Sequence, residues 1–347
     1  MKAVVIERFG PPEVLEYRDV PTPQAGRGEV LIRVRAVTVN RTLDLAVRRD
    51  GDNRGVTLPL VLGTDPSGVV EAAGEGVTRI QVGDHVAVTG SVRCGTCAQC
   101  AAGHEEDCSK PGHVGVHRWG GYAEYVVVPE RNAVRLPRDL PFPEASVTVR
   151  HAPTAWNLLE NKAELKPGET VLVMGASGAL GSMGVQIARI LGARVIAGAG
   201  SEAGCALGRE LGAEHAINYR AVKLDDAVMA YTQGRGVDVV FENISDPELW
   251  PLAFASLAPS GRLVTAGAHG GGIVALDCRR LYHRRLKVIG GAGSTPSNVE
   301  SALGAAVDGK LRAVIDRVMP LEEAAQAHHI VGRREVLGKI VLAPAAA

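Results

Sequence analysis

The pattern of apolar and polar positions divides the chain into two regions of different character. Up to about residue 150, short runs rich in valine and isoleucine are separated by glycine, proline and aspartate, which is typical of a β-rich domain with many turns. The clearest of these runs are residues 30–34, 69–71, 85–88 and 122–128. From about residue 169 onwards, strand-like runs alternate with helical periodicity. This alternation predicts a parallel sheet covered by helices on both faces.

The alternating region continues to about residue 292. Its predicted strands and helices are residues 170–174, 179–191, 195–197, 202–211, 216–219, 237–243, 263–266 and 287–289. A helix at 296–307 and a last strand at 338–342 follow, and we expect both to return to the first domain. The predicted fold is therefore α/β. A β-rich domain of residues 1–151 and 296–347 is interrupted by a doubly wound parallel-sheet domain of residues 152–295.

Composition narrows the classes of partner. The 347 residues carry 38 basic and 38 acidic side chains, so the formal net charge is zero. A balanced charge gives no reason to expect nucleic-acid or membrane partners. The first residues form a short apolar run that Glu7 and Arg8 interrupt, unlike a signal peptide or a spanning helix. We therefore expect a cytoplasmic protein that acts on a small molecule.

Four cysteines are clustered in the first domain. Cys94, Cys97, Cys100 and Cys108 are separated by two, two and seven residues. Four thiolates complete the tetrahedral coordination of Zn²⁺ and leave no position open for water or substrate. We therefore predict one structural zinc per chain. Disulfides, buried thiols and a four-thiolate iron–sulfur cluster are the alternatives.

A glycine-rich turn opens the inserted domain. The apolar strand 170–174 runs into Gly175, and Gly178 and Gly181 follow before an apolar helix. The first glycine permits the tight turn, the second lets backbone N–H groups approach a pyrophosphate, and the third lets helix and strand pack closely. Because strand, turn and helix occur in the required order, we predict a Rossmann domain that binds a nicotinamide dinucleotide rather than a plain glycine turn.

The end of the second strand bears on which dinucleotide is bound. The strand leads into Gly200 and Ser201, where an NAD enzyme usually has an acid that binds the ribose 2′-hydroxyl. No acid is present there, and Ser201, Tyr219, Arg220 or Arg334 can supply donors to a 2′-phosphate. The alternative is that Arg220 and Arg334 are ordinary surface charges. The sequence therefore favours NADP over NAD and leaves NAD possible.

With these parts in place, the whole chain resembles the medium-chain dehydrogenase/reductase superfamily, which contains zinc alcohol dehydrogenases and quinone oxidoreductases. Besides the cysteines and the glycine turn, the motifs that carry the resemblance are residues 63–74, 83–86, 120–125, 154–156, 211–213, 217–219 and 338–342. The resemblance implies a GroES-like first domain that binds substrate. It also implies these dinucleotide contacts: Arg41, Thr154, Gly175, Ser177, Gly178, Ala179, Leu180, Gly200, Ser201, Tyr219, Asn243, Gly267 and Arg334.

The chain departs from the family at the catalytic zinc. Alcohol dehydrogenases of this superfamily hold that zinc through Cys, His and Cys, and the matching positions here are Asn40, Thr64 and Arg150. The segment 40–44 also has one residue more than the family pattern. Asn, Thr and Arg are not normal zinc ligands, so the resemblance implies that the catalytic zinc is absent. A substitute site is the alternative, and its candidate ligands are Asp44, Asp65, His113, His117 and His151.

Without zinc, alcohol oxidation is harder, because the metal normally stabilises the alkoxide. Reduction of an activated C=C bond or a quinone needs only hydrogen-bond donors for the developing oxyanion. Arg150 is the candidate for stabilising the oxyanion or for holding a substrate carboxylate or phosphate, and an ion pair with Asp65 is its structural alternative. Asn40 and Thr42 are candidate hydrogen-bond donors to the substrate, and turn capping is the structural alternative for both.

Three functional hypotheses follow. The first is an NAD(P)H-dependent, zinc-independent reductase of enones, enoyl groups or quinones. The second is an alcohol dehydrogenase or ketone reductase with an unorthodox or absent catalytic metal, and the third is a nucleotide-binding protein without catalysis. Because the apolar strand 287–292 is expected at a sheet edge, we also predict a homodimer, with a tetramer possible.

Overall fold

The structure is a computed structural model that describes residues 1–104, 107–334 and 336–345. The chain forms two compact units. Residues 1–150 and those from 313 onwards make the first unit, and residues 151–312 make the second. None of the helices in the described ranges has the length and apolar character needed to cross a membrane.

The strands, in chain order, are β1 (Lys2–Ile6), β2 (Glu16–Asp19), β3 (Glu29–Thr38), β4 (Leu60–Val61), β5 (Ser67–Ala73), β6 (His85–Val88), β7 (Ser91–Val92), β8 (Gly112–His113), β9 (Tyr125–Pro129), β10 (Ala133–Arg135), β11 (Thr170–Met174), β12 (Arg194–Ala199), β13 (His215–Asn218), β14 (Val237–Glu242), β15 (Leu257–Thr265), β16 (Lys287–Gly290), β17 (Ile315–Pro320) and β18 (Lys339–Ala343).

The α-helices are α1 (Ala46–Asp50), α2 (Ala98–Ala101), α3 (Phe142–Trp156), α4 (Ala179–Ile190), α5 (Glu202–Glu210), α6 (Leu224–Tyr231), α7 (Leu249–Ala255), α8 (Cys278–His283), α9 (Pro296–Val307) and α10 (Ala324–Gly332). Short 3-10 turns and π-helical turns accompany them. The 3-10 turns are Pro12–Val14, Gly51–Asn53, Glu130–Asn132 and Leu321–Glu323, and the π-helical turns are Arg41–Leu45 and Asn157–Lys162.

The first unit is built from β-sheet. Its larger sheet has the order β10-β6-β5-β3-β18-β17, with β9 also paired to β3. A smaller sheet, β2-β1-β4, packs its apolar side chains into a core that includes Ile6, Leu60 and Tyr122. β1, β3 and β18 are buried along most of their length, so both faces of these strands are largely covered. The β-rich first domain predicted from the sequence is confirmed.

The register between β3 and β18 joins residues that are far apart in sequence. The two strands are antiparallel, with Thr38 opposite Val341. The N–H of Val39 donates to the carbonyl of Ile340 at 3.0 Å. Continuing this register brings the residue after Val39 opposite Lys339, the first residue of β18. The end of β3 therefore meets the start of β18 inside the first unit.

The second unit is a six-stranded parallel sheet in the order β13-β12-β11-β14-β15-β16. Its central strand β11 is fully buried, and helices follow the strands in alternation, as the sequence predicted. The chain order reverses direction between β11 and β14, which is the point where doubly wound sheets bind their ligands. Strand β16 lies at an edge of the sheet.

The second unit ends at Arg312, later than residue 295, the boundary that the sequence predicts. Helix α9, which we expected to return to the first domain, remains in the second unit. Asn298 donates to Asn161 at 2.9 Å. The Gln186 amide makes two hydrogen bonds with the backbone of Arg312, at 3.0 and 2.9 Å. These contacts hold the chain against the second unit up to Arg312.

Candidate functional site

Four cysteine thiols come together beside the β7–β8 hairpin. The ligand atoms of Cys94, Cys97, Cys100 and Cys108 all lie within 4.8 Å of one another, and Sγ of Cys94 is 3.9 Å from Sγ of Cys100. Tetrahedral zinc with Zn–S bonds of about 2.3 Å separates its sulfur atoms by about 3.8 Å. The cluster therefore fits one zinc ion with four thiolates and no open coordination position.

The backbone of this loop favours the thiolate form. The N–H of Cys97 donates to Sγ of Cys94 at 3.3 Å, and the N–H of Cys100 donates to Sγ of Cys97 at 3.5 Å. Such backbone donors, led by the Cys100 N–H, lower the pKa of Cys97 to about 5. Desolvation raises the pKa of Cys100 to about 12, but a coordinated cation deprotonates a thiol outright. The loop is therefore suited to a cation.

The side chain of Asn40 joins an acid and a base inside the first unit. Its Nδ2 donates to Oδ2 of Asp65 at 3.1 Å and to Oγ1 of Thr38 at 3.2 Å. Its Oδ1 accepts from Nζ of Lys339 at 2.6 Å, and Lys339 also donates to the carbonyl of Val39 at 2.8 Å. All four side chains are buried. The sequence predicts Asn40 as a substrate donor, but in the structure its amide binds Thr38, Asp65 and Lys339 instead.

The carboxylate of Asp65 is also satisfied within the unit. It accepts from the N–H of Thr38 at 3.3 Å and from its Oγ1 at 2.9 Å. Within the described parts of the chain, no ion pair joins Asp65 to Arg150, so the pairing weighed in the sequence analysis is not observed. The buried cation near Asp65 is Lys339. Burial lowers the pKa of Lys339 to about 8, while Asp65 and Asp44 act in the opposite direction.

Asp44 lies close to Asn40 because the segment after Asn40 forms a π-helical turn. The N–H of Leu45 donates to the carbonyl of Asn40 at 3.2 Å, an i to i−5 bond. A π turn holds one residue more than an α turn. It therefore accommodates the extra residue that distinguishes this segment from the family pattern. The turn directs Asp44 inwards, where Oδ2 accepts from the Asn40 N–H at 2.7 Å.

Two further buried groups extend this network. The hydroxyl of Tyr122 donates to Oδ2 of Asp44 at 3.4 Å and lies 3.1 Å from Nε2 of His328. Burial raises the pKa of Asp44 to about 7 and lowers the pKa of His328 to about 3. The histidine is therefore neutral near pH 7. Sequence motifs do not reveal three members of this network, which are Tyr122, His328 and Lys339.

Thr64 contacts a histidine on strand β8. Its Oγ1 lies 3.3 Å from Nδ1 of His113, and Nε2 of His113 lies 3.2 Å from Oγ of Ser91. Burial, followed by the charge of Arg150, lowers the pKa of His113 to about 3. Arg150 also lowers the pKa of Lys339. Arg150 is therefore in electrostatic range of both the Thr64–His113 pair and the Asn40–Lys339 pair.

The five candidate ligands of a substitute metal site do not form a cluster in the described residues. Asp44 and Asp65 belong to the Asn40 network, and His113 contacts two hydroxyl groups. His117 donates from Nε2 to the carbonyl of Arg54 at 2.9 Å. Across the ranges that the structure describes, the cysteine cluster is the sole group of three or more His, Cys, Asp or Glu ligands.

Two arginines predicted to contact the dinucleotide lie near each other in the first unit. Arg41 is half-buried, and desolvation followed by the charge of Arg334 lowers its pKa. Neighbouring guanidinium groups repel each other, so an anion such as a phosphate stabilises them. Thr42 is exposed on the π turn, where it is accessible to a ligand.

The glycine turn of the second unit has the geometry that the sequence predicted. Gly175 has a φ of 61°, and a Cβ on Gly181 would lie 2.1 Å from the carbonyl oxygen of Gly175. Gly178 is the N-cap of α4 and has no side chain to cap it. The N–H groups at Ala179 and Leu180, in the first turn of α4, are therefore available to a pyrophosphate. Ser177 lies in the same turn.

The ends of the neighbouring strands supply the remaining predicted contacts. After β12, a Cβ on Gly200 would lie 3.2 Å from the hydroxyl of Tyr219 and 3.3 Å from Nε of Arg220. Ser201 caps α5 by accepting from the N–H of Gly204 at 3.1 Å. This group has donors and a guanidinium, and its composition suits a phosphate. It lies at the position where NAD enzymes have an acid.

At the end of β14, Asn243 is buried and its Nδ2 donates to the carbonyl of Met174 at 2.5 Å. A Cβ on Gly267 would lie 1.9 Å from the carbonyl oxygen of Asn243, so glycine is required there. Both residues therefore fix the strand ends beside the glycine turn. Thr154 is half-buried on α3, the helix that leads into the second unit.

Comparison with known proteins agrees with this arrangement. Residues 26–138 match the alcohol dehydrogenase GroES-like domain family, and residues 179–308 match the zinc-binding dehydrogenase family. The chain is 33% identical to an NAD-dependent alcohol dehydrogenase from Sulfolobus acidocaldarius, with 99% of each chain covered. It is 30% identical to the quinone oxidoreductase of Homo sapiens, covering 99% of this chain and 97% of that protein.

Solved structures give the same result. The crystal structure of an NAD-dependent alcohol dehydrogenase superimposes with a TM-score of 0.91 at 37% identity, covering 99% of both chains. The protein belongs to the medium-chain dehydrogenase/reductase superfamily and is an NAD(P)-dependent oxidoreductase. The cysteine cluster fits the structural zinc of its zinc-binding members.

A catalytic zinc, which many members of the family hold, does not fit the residues present. Asn40 uses both sides of its amide internally, and its oxygen accepts from the ammonium of Lys339. Thr64 contacts His113, and Arg150 carries a permanent charge that repels a cation. The donors at the three matching positions are therefore unsuited to Zn²⁺.

Proposed function

We propose that the protein is a zinc-independent reductase that transfers hydride from NADPH to an activated C=C bond or a quinone. The observation that carries this proposal is the Asn40 amide, which binds Lys339 on one side and Asp65 on the other. This arrangement leaves no ligand for a catalytic metal at that position. The reaction proposed is one that the family fold supports without a Lewis acid.

When bound at the glycine turn, the dinucleotide would supply a hydride, and the acceptor atom is the β-carbon of an enone or enoyl group or a ring position of a quinone. The π electrons move to the carbonyl oxygen. In an enone or enoyl group the α-carbon then takes a proton from water to give the saturated product, whereas a reduced quinone takes the proton on oxygen to give the hydroquinone. We assign Arg150 to the developing oxyanion, because its guanidinium is a fixed donor with no carboxylate partner among the described residues. The pKa of His113 is lowered to about 3, so its ring is neutral near pH 7. Arg150, rather than His113, is therefore the cation assigned to the developing oxyanion.

NADPH is preferred in this proposal because Tyr219 and Arg220 lie beside Gly200, at the end of β12. Arg41 and Arg334, as a second pair of cations, are assigned to dinucleotide phosphates. Arg220→Glu is expected to raise KM for NADPH at least about tenfold, since it places an acid beside the 2′-phosphate, with KM for NADH little changed. An equal effect on both cofactors would contradict this assignment.

The proposal is tested by measuring NADPH and NADH oxidation against enones, enoyl thioesters, quinones and aldehydes, together with the zinc content of the same preparation. We expect turnover of an activated alkene or quinone with one zinc per chain. Two zinc ions per chain, with alcohol or aldehyde turnover that a chelator abolishes, would instead support the alcohol dehydrogenase alternative. Cofactor binding without any turnover would support the non-catalytic alternative.

A further inference from the structure

The charged groups that act on the histidine beside Thr64 are basic. The charged groups that act most on His113 are Arg150, Arg54, His117 and Arg93, all of them cationic or basic. Arg54 is already neutralised, because its Nε lies 2.6 Å from Oδ2 of Asp52. Arg93 and Arg150, in contrast, have no carboxylate at ion-pair distance within residues 1–104, 107–334 and 336–345.

The backbone directs Arg93 towards the same place. Strand β7 pairs with β8, with Ser91 opposite His113, and Oγ of Ser91 contacts the His113 ring. Arg93 immediately follows β7 and is two residues beyond Ser91, so chain connectivity keeps it near the end of the strand that contacts His113.

Helix α3 holds Arg150 against the sheet of the first unit. One turn earlier on the helix, Ser146 donates to the carbonyl of Ala36 at 3.2 Å and lies 2.8 Å from Oγ of Ser67. Residues four apart share a helix face, so Arg150 lies on the face that packs against β3 and β5. Asp65, the nearby carboxylate, is occupied by Thr38 and Asn40.

The balance of charge points to a second anion. The proposed reduction develops one negative charge, on the carbonyl oxygen, whereas Arg93 and Arg150 provide two positive charges. The inner acids cannot neutralise the remainder, since Asp65 and Asp44 have internal donors. A partly buried cation without a counter-ion is costly. A ligand that carries a permanent negative charge removes this cost.

We propose that Arg93 and Arg150, together with the Thr64–His113 pair, form an anion subsite for a carboxylate or phosphate on the substrate. Arg93 holds the permanent anion, and Arg150 faces the carbonyl oxygen that becomes charged. This inference rests on the proposed reduction and names its substrate class, an activated alkene that is itself an anion. Arg93 is then a specificity-determining residue contributed by the segment that leads into the cysteine cluster.

Matched substrates test the proposal. Acetylacrylate is an enone with a carboxylate, and its methyl ester is the neutral counterpart. We expect kcat/KM for the acid to exceed that for the ester at least about tenfold, as for one hydrogen-bonded charge contact. Crotonyl-coenzyme A and crotonyl-pantetheine form a second pair, which differs in phosphate. A preference confined to one pair identifies the anion as a carboxylate or as a phosphate.

Variants locate the subsite. Arg93→Gln is expected to reduce the charged-to-neutral preference at least about tenfold, mainly through KM, and Arg93→Lys is expected to retain most of it. Lys110→Gln removes an exposed cation near the same cysteines and should leave the preference unchanged. Because Arg93 adjoins Cys94, zinc content and melting temperature are measured for each variant. If Arg93→Gln loses zinc, Arg93→Met and Arg93→Lys provide the comparison.

Binding separates this inference from the proposed reaction. Levulinate and methyl levulinate, the saturated counterparts, are titrated calorimetrically into the holoenzyme with oxidised dinucleotide. Tighter binding of levulinate, lost in Arg93→Gln, supports the subsite even if no alkene is reduced. Turnover of neutral enones with no preference for the acid, and equal binding of the two levulinates, would overturn the anion subsite and leave the proposed function intact.

Discussion

The ammonium of Lys339 donates to Oδ1 of Asn40 at 2.6 Å in the buried interior of the first unit. Removing this charge isolates the carboxylate of Asp65, which is then buried without a counter-charge. Lys339→Met is therefore expected to lower the free energy of unfolding by about 3–5 kcal/mol, the cost typical of breaking a buried pair. Urea denaturation measures this change.

Lys310→Met is the control for that substitution. Lys310 pairs with Asp308 at 2.8 Å, but both side chains are exposed, so its loss should cost at most about 1 kcal/mol. Equal stability of the two variants would contradict the structural role of Lys339.

The network around Lys339 shows what the sequence alone can predict. The cysteine cluster and the glycine turn are local motifs, so their residues are recognisable from spacing. Lys339 and Asn40 are 299 residues apart, and only the pairing of β3 with β18 brings them together. A single lysine at the start of an apolar strand gives a weak signal, because its partner depends on register.

Local context explains the other differences. Helix α10, which carries His328, was not predicted, because its alanine-rich sequence has no strong apolar periodicity. The extra residue after Asn40 was visible in the sequence, but the π turn that absorbs it was not. The second unit extends past α9 because Asn298 and Gln186 make side-chain contacts within it. Apolar periodicity does not encode such contacts.

Asp44 gives a prediction about pH. Burial raises its pKa from 3.8 to about 7, so between these values the folded protein holds a proton that the unfolded chain has lost. The contribution of Asp44 to stability is therefore present at low pH and is lost as pH rises through about 7. Asp44→Asn removes this titration.

We expect the stability of Asp44→Asn, relative to the unsubstituted protein, to rise by roughly a few kcal/mol from about pH 4 to pH 7. Denaturation midpoints in urea at several pH values measure the difference. Asp308→Asn, at an exposed surface acid, provides the comparison. A relative stability that does not change with pH would show that Asp44 is ionised throughout.

The cysteine cluster predicts a stability effect rather than a catalytic one. Cys97→Ser removes one of four ligands and should reduce bound zinc and lower Tm by about 10 °C, because a structural zinc contributes folding free energy. Cys278→Ser changes an exposed cysteine outside the cluster and should leave Tm and zinc content unchanged. A Cys97 variant with normal Tm but no activity would refute the structural assignment.

For Arg150 we expect a catalytic effect rather than a stability effect. It has no ion pair among the described residues, so Arg150→Ala should change Tm little. If it stabilises the oxyanion, kcat should fall by about a hundredfold while cofactor affinity is retained. Arg138→Ala, at an exposed position of the same unit, is the control. A loss of stability with kcat intact would return Arg150 to a structural role.

Strand β16 predicts how two copies of the chain associate. It is the edge strand of the six-stranded sheet, and apolar side chains on and near it are exposed, including Val288 at 39% and Tyr282 at 65%. An unpaired apolar edge is a template for the same strand of a second copy. We therefore expect a homodimer by light scattering, with a mass about twice the 36.3 kDa of one chain. Lysine disfavours edge pairing, so Val288→Lys should shift the mass towards that of the monomer. Val222→Lys, at an exposed apolar residue elsewhere in the second unit, should leave the mass unchanged.

A monomeric mass for the unsubstituted protein at micromolar concentration would refute the association. A dimer that persists in Val288→Lys would assign the association to another surface.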